Sequence, residues 1–103
     1  MIKGIGCDIV EHDRVNLSIA KKVLTNSEYE LYEKSNNKIE YLASRFACKE
    51  AIVKASNKKF LFKDIEILNH KNGACYCNIE GMMISISHEK KYSIAMAIWE
   101  QNE

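Results

Sequence analysis

Four alanines, Ala43, Ala47, Ala51 and Ala55, recur at every fourth position through the middle of the chain. In an α-helix that spacing stacks them in one row, and a row of side chains this small lets the helix lie close against a neighbour. Leu42, Phe46, Lys49 and Val53 follow at offsets of 4, 7 and 11 and trace a second row. Asn37 and Glu40 stand at N-cap and N3 spacing, so the pattern predicts a helix from about Lys38 to Ala55. Glu50 falls between the two rows. The helix therefore carries a carboxylate beside its buried face.

The flanking segments must supply something for this helix to pack on. Ile2 to Val10 reads as an apolar strand interrupted by Gly4 and Gly6, and glycines inside a strand mark close approach of a ligand or another backbone. Asp13 is a candidate cap for a short helix carrying Val15, Ile19 and Val23. Thr25 and Glu28 have the spacing of a capping box, opening a helix with Tyr29 and Tyr32. After the long helix come strands: one with Ile65 and Ile67, then one in which Cys75, Cys77 and Ile79 alternate, with Asn72-Gly73 as the hairpin turn between them. Ile84 and Ile86 alternate with Ser85 and Ser87, and Tyr92 to Trp99 alternates again across the short His88–Lys91 connection. A strand, then helices, then antiparallel strands gives an α+β class, with an antiparallel sheet packed against the long helix.

With 103 residues the chain makes a single domain, residues 1–103. So small a core makes oligomerisation a natural way to gain buried surface. The formal net charge of +1 argues against a nucleic-acid or membrane-surface partner, so an anionic ligand has to be met by local clusters of Lys and Arg. The start carries Asp8 and no small-residue cleavage site, and no apolar run is long enough to span a membrane, so the expected location is the cytoplasm. Cys7, Cys48, Cys75 and Cys77 all lie in apolar stretches without metal or redox spacing and are expected as reduced core thiols.

Two carboxylates stand out. Asp8 interrupts an apolar strand, so it should be protonated, paired with a lysine, bound to a metal, or near enough to the strand end to reach water. Glu50 and Lys54 are four apart and either form an ordinary helix pair or belong to a site. Arg45 and Lys49 are a like-charge pair on the same helix, a cost that an anionic ligand would offset. Ser85, Ser87 and His88 end a strand, and Ser87 and His88 offer hydroxyl and imidazole contacts to a phosphate, with an ordinary turn histidine as the alternative. Neighbouring strand residues point to opposite faces, so this run is not a nucleophile–base pair. Hard divalent ions such as Mg²⁺ take one or two carboxylates together with phosphate oxygens. Two carboxylates with several cations around them thus suit a phosphoryl-transfer type of site.

The motifs GIGCDIVEHDRV, RFACKEAIVKA and ISISHEKKYSIAMAI, with LTNSEYELYEK and FKDIEILNHKNG between them, resemble those of the holo-acyl-carrier-protein synthases, in order and over nearly the whole chain. The resemblance implies a small α+β enzyme of the 4′-phosphopantetheinyl transferase fold, assembled as a homotrimer with active sites between subunits. It implies transfer of 4′-phosphopantetheine from coenzyme A to a serine of apo-acyl carrier protein, with Mg²⁺ as cofactor. Asp8 and Glu50 match the metal ligands of that family. Lys54 matches the lysine near the reacting phosphate, and together the three form the expected catalytic set. Arg45 and His88 match coenzyme A phosphate contacts. Arg14 matches a basic position that meets the acidic carrier protein, with Lys21 and Lys22 nearby to add local charge. A non-catalytic carrier-binding module of the same fold is the alternative, as is a transferase dedicated to polyketide or peptide carrier proteins.

The chain departs from that family pattern at three places. Ser56-Asn57 stands where the family has Gly after the KEA helix, and Asn accepts the left-handed conformation such a helix end needs. Gly73-Ala74-Cys75 stands where the family often has Gly-x-Pro. A family helix before the Ser-x-Ser-His strand is missing, with only Glu80-Gly81-Met82-Met83 in its place, which bears on coenzyme contacts and on trimer packing.

Overall fold

The computed structural model describes residues 1–102. Strand β1 (Ile2–Glu11) is followed by helices α1 (Ala20–Val23), α2 (Asn26–Lys34) and α3 (Lys38–Ser56), and then by strands β2 (Ile67–Asn69), β3 (Cys75–Cys77), β4 (Met82–His88) and β5 (Tyr92–Glu100). The α+β arrangement expected from the sequence is present. The main sheet is antiparallel in the order β1-β5-β4, and β2 and β3 form a separate antiparallel hairpin. Within the main sheet Asp8 lies opposite Ala95, and Ser87 opposite Ile94.

Helix α3 lies directly on β1 and β5. All four alanines of its row are buried. The two strand glycines make room for it: a Cβ on Gly4 would sit 1.7 Å from the Ala55 carbonyl oxygen, and one on Gly6 would sit 2.0 Å from that of Ala51. The close approach marked by these glycines is thus to a backbone. The same closeness decides which way β5 faces. Ser93, Ala95 and Ala97 turn inward because only small side chains fit under α3, while Tyr92, Ile94 and Met96 are left on the outer face.

The helix ends follow the capping logic. Thr25 and Glu28 form a complete capping box at α2, and the Asn37 side chain accepts the Glu40 amide at α3. Asn57 closes α3 at φ 54°, in the left-handed region, with its amide bonded to the Val53 carbonyl. The region shortened before β4 is a tight turn at Gly81 (φ 80°), pressed so closely on the end of β5 that a Cβ there would lie 2.1 Å from the Glu100 carbonyl oxygen.

Three local expectations need correction. Asp13 caps nothing; it lies inside a 3-10 turn, His12–Arg14, and the cap of the following turn is Asn16, whose side chain accepts from the Ser18 amide. Ile65 is not in a strand but ends the 3-10 turn Phe62–Asp64, where it is fully buried. Cys7 is exposed, because β1 alternates and its odd positions face outward opposite Met96. Cys48 is a buried thiol and Cys75 and Cys77 are half-buried.

Candidate active site

Asp8 and Glu50 come from different elements, β1 and α3, and line one cavity of about 530 Å³. Strand alternation turns Asp8 away from the exposed Ile5–Cys7–Ile9 face and toward α3, so the acid in the apolar strand borders a cavity instead of the core. Its Oδ1 accepts from Lys54 Nζ at 3.2 Å, and the same ammonium donates to the Cys7 carbonyl at 3.0 Å. Lys54 therefore pairs with Asp8 across elements, and Glu50 has no ion-pair partner among the described residues. Arg14, Glu11, Phe46 and Tyr92 are also in the wall, with Arg14 Nε 3.5 Å from Glu11.

A second cavity of about 250 Å³ holds Arg45 and His88. Arg45 is only 8% exposed. Its Nη2 donates to Asn69 Oδ1 at 3.3 Å and its guanidinium lies over the Tyr41 ring, but among the described residues Nε has no partner, nor has the Tyr41 hydroxyl. An unpaired buried guanidinium donor is costly, and Arg45 lines this cavity, so its guanidinium is a cation that an entering anion would meet. His88 enters from the end of β4, with Nδ1 3.2 Å from Glu40 Oε2. Sequence reasoning assigned Glu40 only to the helix start. Its amide is what serves the cap, and its side chain was left free to meet His88. Asn69 and Tyr41 carried no sequence signal for their contact with Arg45, because they meet it only through the tertiary fold.

Lys49 does not join either cavity. It is 0% exposed, and its three N–H groups donate to Glu28 Oε1 (2.6 Å), the Val23 carbonyl (2.6 Å) and the Phe62 carbonyl (2.9 Å). An ammonium has three donors, so none is left for a ligand, and the expectation that Lys49 meets an anionic ligand beside Arg45, as a coenzyme contact, is corrected. Burial draws this ammonium below its ordinary range, while Glu28 pulls the other way. Ser87 is exposed on the outer sheet face and shares a shallow groove with His88, Ile9 and Ile94, apart from the Arg45 cavity. Lys21 and Lys22 are exposed on α1, with Lys21 near the Tyr29 ring at a third depression.

A family model described as the 4′-phosphopantetheinyl transferase superfamily matches residues 4–97, which takes in both cavities. The chain belongs to this superfamily. It is 38% identical over 119 positions, covering all of both chains, to the holo-[acyl-carrier-protein] synthase of Oceanobacillus iheyensis. It is 39% identical to that of Alkaliphilus oremlandii, over 95% of this chain and 98% of the other. A crystal structure of a holo-(acyl-carrier-protein) synthase from Bacillus anthracis in complex with CoA (3′,5′-ADP) superposes with a TM-score of 0.92, at 31% identity over 99% of each chain. The transferase fold thus survives the short turn at Gly81.

Within this transferase fold, the residues of the first cavity fit a hard divalent cation. Asp8 and Glu50 line one open space, and although Glu11 also borders it, beside Arg14, no three such residues stand close enough to form a complete protein ligand set among the described residues. Mg²⁺ commonly uses two carboxylates and fills its remaining positions with water and substrate phosphate oxygens.

Proposed function

We propose that this chain is a Mg²⁺-dependent holo-acyl-carrier-protein synthase of the cytoplasm, serving fatty acid synthesis as a homotrimer. It transfers 4′-phosphopantetheine from coenzyme A to a serine of apo-acyl carrier protein and releases adenosine 3′,5′-bisphosphate. The observation that carries the reading is the meeting of Asp8 and Glu50 on one cavity, with Lys54 3.2 Å from Asp8. When bound there, Mg²⁺ supplies charge neutralisation for the diphosphate.

The chain's own groups divide the remaining work. The serine oxygen bonds to the phosphorus that carries pantetheine, the bond from that phosphorus to the bridging oxygen breaks, and the bisphosphate leaves. Glu50 is the base we favour: its carboxylate accepts the serine proton, directly or through one water. Lys54, already set between Asp8 and the Cys7 carbonyl, offsets negative charge at the reacting phosphate. Arg45 and His88 hold the coenzyme's phosphate at the second cavity, a role supported by their meeting on its wall. Arg14 is exposed at the rim of the first cavity and suits an acidic carrier protein, with Lys21 and Lys22 adding long-range attraction.

The trimer reading draws support from the outer face of the main sheet. Ile5, Ile9 and Met83 are each more than half exposed, and Ile94, Met96 and Cys7 join them on the same face. A contiguous apolar face on a monomer marks an interaction surface, and a further copy of the chain is the occupant we assign. Sedimentation at micromolar concentration should give three times the chain mass; a monomer would remove the assembly from the reading.

The transfer itself is tested by intact-mass measurement of apo carrier protein incubated with this chain, coenzyme A and Mg²⁺. A gain of one phosphopantetheine, abolished by a chelator, is the expected result. No gain with several carrier proteins, from folded protein, would leave a carrier-binding module as the better account.

A further inference from the structure

We propose that His12 is a positioning residue that clamps the β4–β5 hairpin and so holds His88 in place for the coenzyme's phosphate. This rests on the reading of Arg45 and His88 as coenzyme contacts.

His12 is a polar side chain only 7% exposed, in the 3-10 turn directly after β1, and it has no part in the transfer chemistry described above. Its backbone amide donates to the Lys91 carbonyl at 2.7 Å, and its Nδ1 lies 3.0 Å from the Lys90 carbonyl. A carbonyl only accepts, so Nδ1 carries the hydrogen. In the neutral ring Nε2 is then an acceptor, and the Ser93 hydroxyl, 2.9 Å away, donates to it. With its hydrogen so committed, the Ser93 oxygen accepts from the Ser44 hydroxyl, also at 2.9 Å. Both serines are buried. One directed chain of hydrogen bonds therefore runs from α3 through β5 and the imidazole to the hairpin.

The ends of this chain explain what it is for. The hairpin is the three-residue connection Glu89–Lys91, closed by the Glu89 amide on the Tyr92 carbonyl. The residue before it is His88, in the Arg45 cavity, and the residue after it is Tyr92, in the wall of the Asp8–Glu50 cavity. Ser44 lines the Arg45 cavity beside Arg45 itself. Among the described residues, His12 makes the only hydrogen bonds that reach Glu89–Lys91 from outside the hairpin strands. An apolar side chain in its place would fill the space but leave the Lys90 carbonyl without this partner and the buried Ser93 hydroxyl without an acceptor.

The test is His12→Leu, read by titration calorimetry with adenosine 3′,5′-bisphosphate and by steady-state transfer. The expected result is bisphosphate binding weakened roughly fivefold to tenfold, as for loss of a buried hydrogen bond. The KM for coenzyme A should rise by a similar factor, with kcat at saturation within about twofold. His12→Asn, whose amide reaches the position of Nδ1, should recover most of the loss. In a His88→Ala background His12→Leu should cost nothing further, because the group it positions is gone. A merely structural role would lower melting temperature without this split or this coupling. Wild-type bisphosphate affinity in folded His12→Leu would overturn the proposal, and so would a full additive loss in the His88→Ala background. If His12→Leu does not fold, Ser93→Ala probes the same chain, with about a twofold loss expected and unchanged affinity overturning it. Absence of bisphosphate binding by the wild-type protein would instead overturn the coenzyme reading on which the proposal stands.

Discussion

Helix α3 carries two lysine–carboxylate pairs less than two turns apart, and they have opposite characters. Lys49 meets Glu28 at 2.6 Å with side chains 0% and 1% exposed. Lys54 meets Asp8 at 3.2 Å with side chains 52% and 19% exposed. In the first pair all three lysine donors are used internally and both carboxylate oxygens accept. Glu28 also takes the Thr25 and Ile67 amides, so one carboxylate joins α2, α3 and β2. In the second pair solvent still reaches both partners, Lys54 keeps one N–H free among the described residues, and the carboxylate borders a cavity. A charge pair sealed from water with all its valences filled can only hold structure together. One left open at a cavity edge can exchange partners with a ligand.

Substitutions on the two sides of α3 put this contrast at risk. The largest effect is expected from Asp8→Ala and Glu50→Ala, each lowering transfer by about 10²–10³-fold with little change in melting temperature. Near-normal turnover in either would take that residue out of the proposed metal site. Lys49→Met should act the other way. It leaves Glu28 buried without its partner, at a cost of about 3–5 kcal/mol in urea denaturation, and adding Glu28→Gln, which removes the charge but keeps an acceptor for the Thr25 or Ile67 amide, should restore part of that. If the single change is neutral, the buried pair is not the hub assigned to it. Lys54→Met should move stability by less than about 1 kcal/mol, since its pair is half exposed, while lowering kcat roughly tenfold or more. A stability loss as large as that of Lys49→Met would erase the distinction between the pairs.

The smallest effect concerns the neighbour of Lys49. Burial pushes the Cys48 thiol from its ordinary 9.0 up to about 12. Between these values the folded chain keeps a proton that the unfolded chain has lost. Its contribution to stability is therefore complete below pH 9 and falls as pH rises toward 12. Cys48→Ala should make the alkaline decline of stability shallower in denaturant titrations. An unchanged slope would show that the sulfur meets more water than its burial implies.

Much of the fold was legible because it depends on local chemistry. The Thr25–Glu28 capping box, the Asn37 cap, the Asn72-Gly73 hairpin turn and the left-handed Asn57 are settled by residues within a few positions of one another. Asp13 misled because Asn16, three residues on, caps with equal propensity, and only the path of the chain after β1 selects between them. Lys49 misled for a deeper reason. Its place in the apolar row at offset 7 was visible, but the acid that neutralises it lies 21 residues away on another helix. A like-charge pair with Arg45 looked like a ligand site when one member was already matched across the core.

The amino-acid sequence by itself determined the helix with its row of alanines, the glycines opposite them, the alternation of the strands and the family motifs that hold Asp8, Glu50 and Lys54. Each of these depends on spacing along one element or on residue identity. The tertiary structure alone decided which face of β5 turned inward, which lysine of α3 lost its water, and which acid each lysine met. Those outcomes depend on how much room remains between packed elements and on the dielectric around each charge. Neither exists until α3 has settled onto β1.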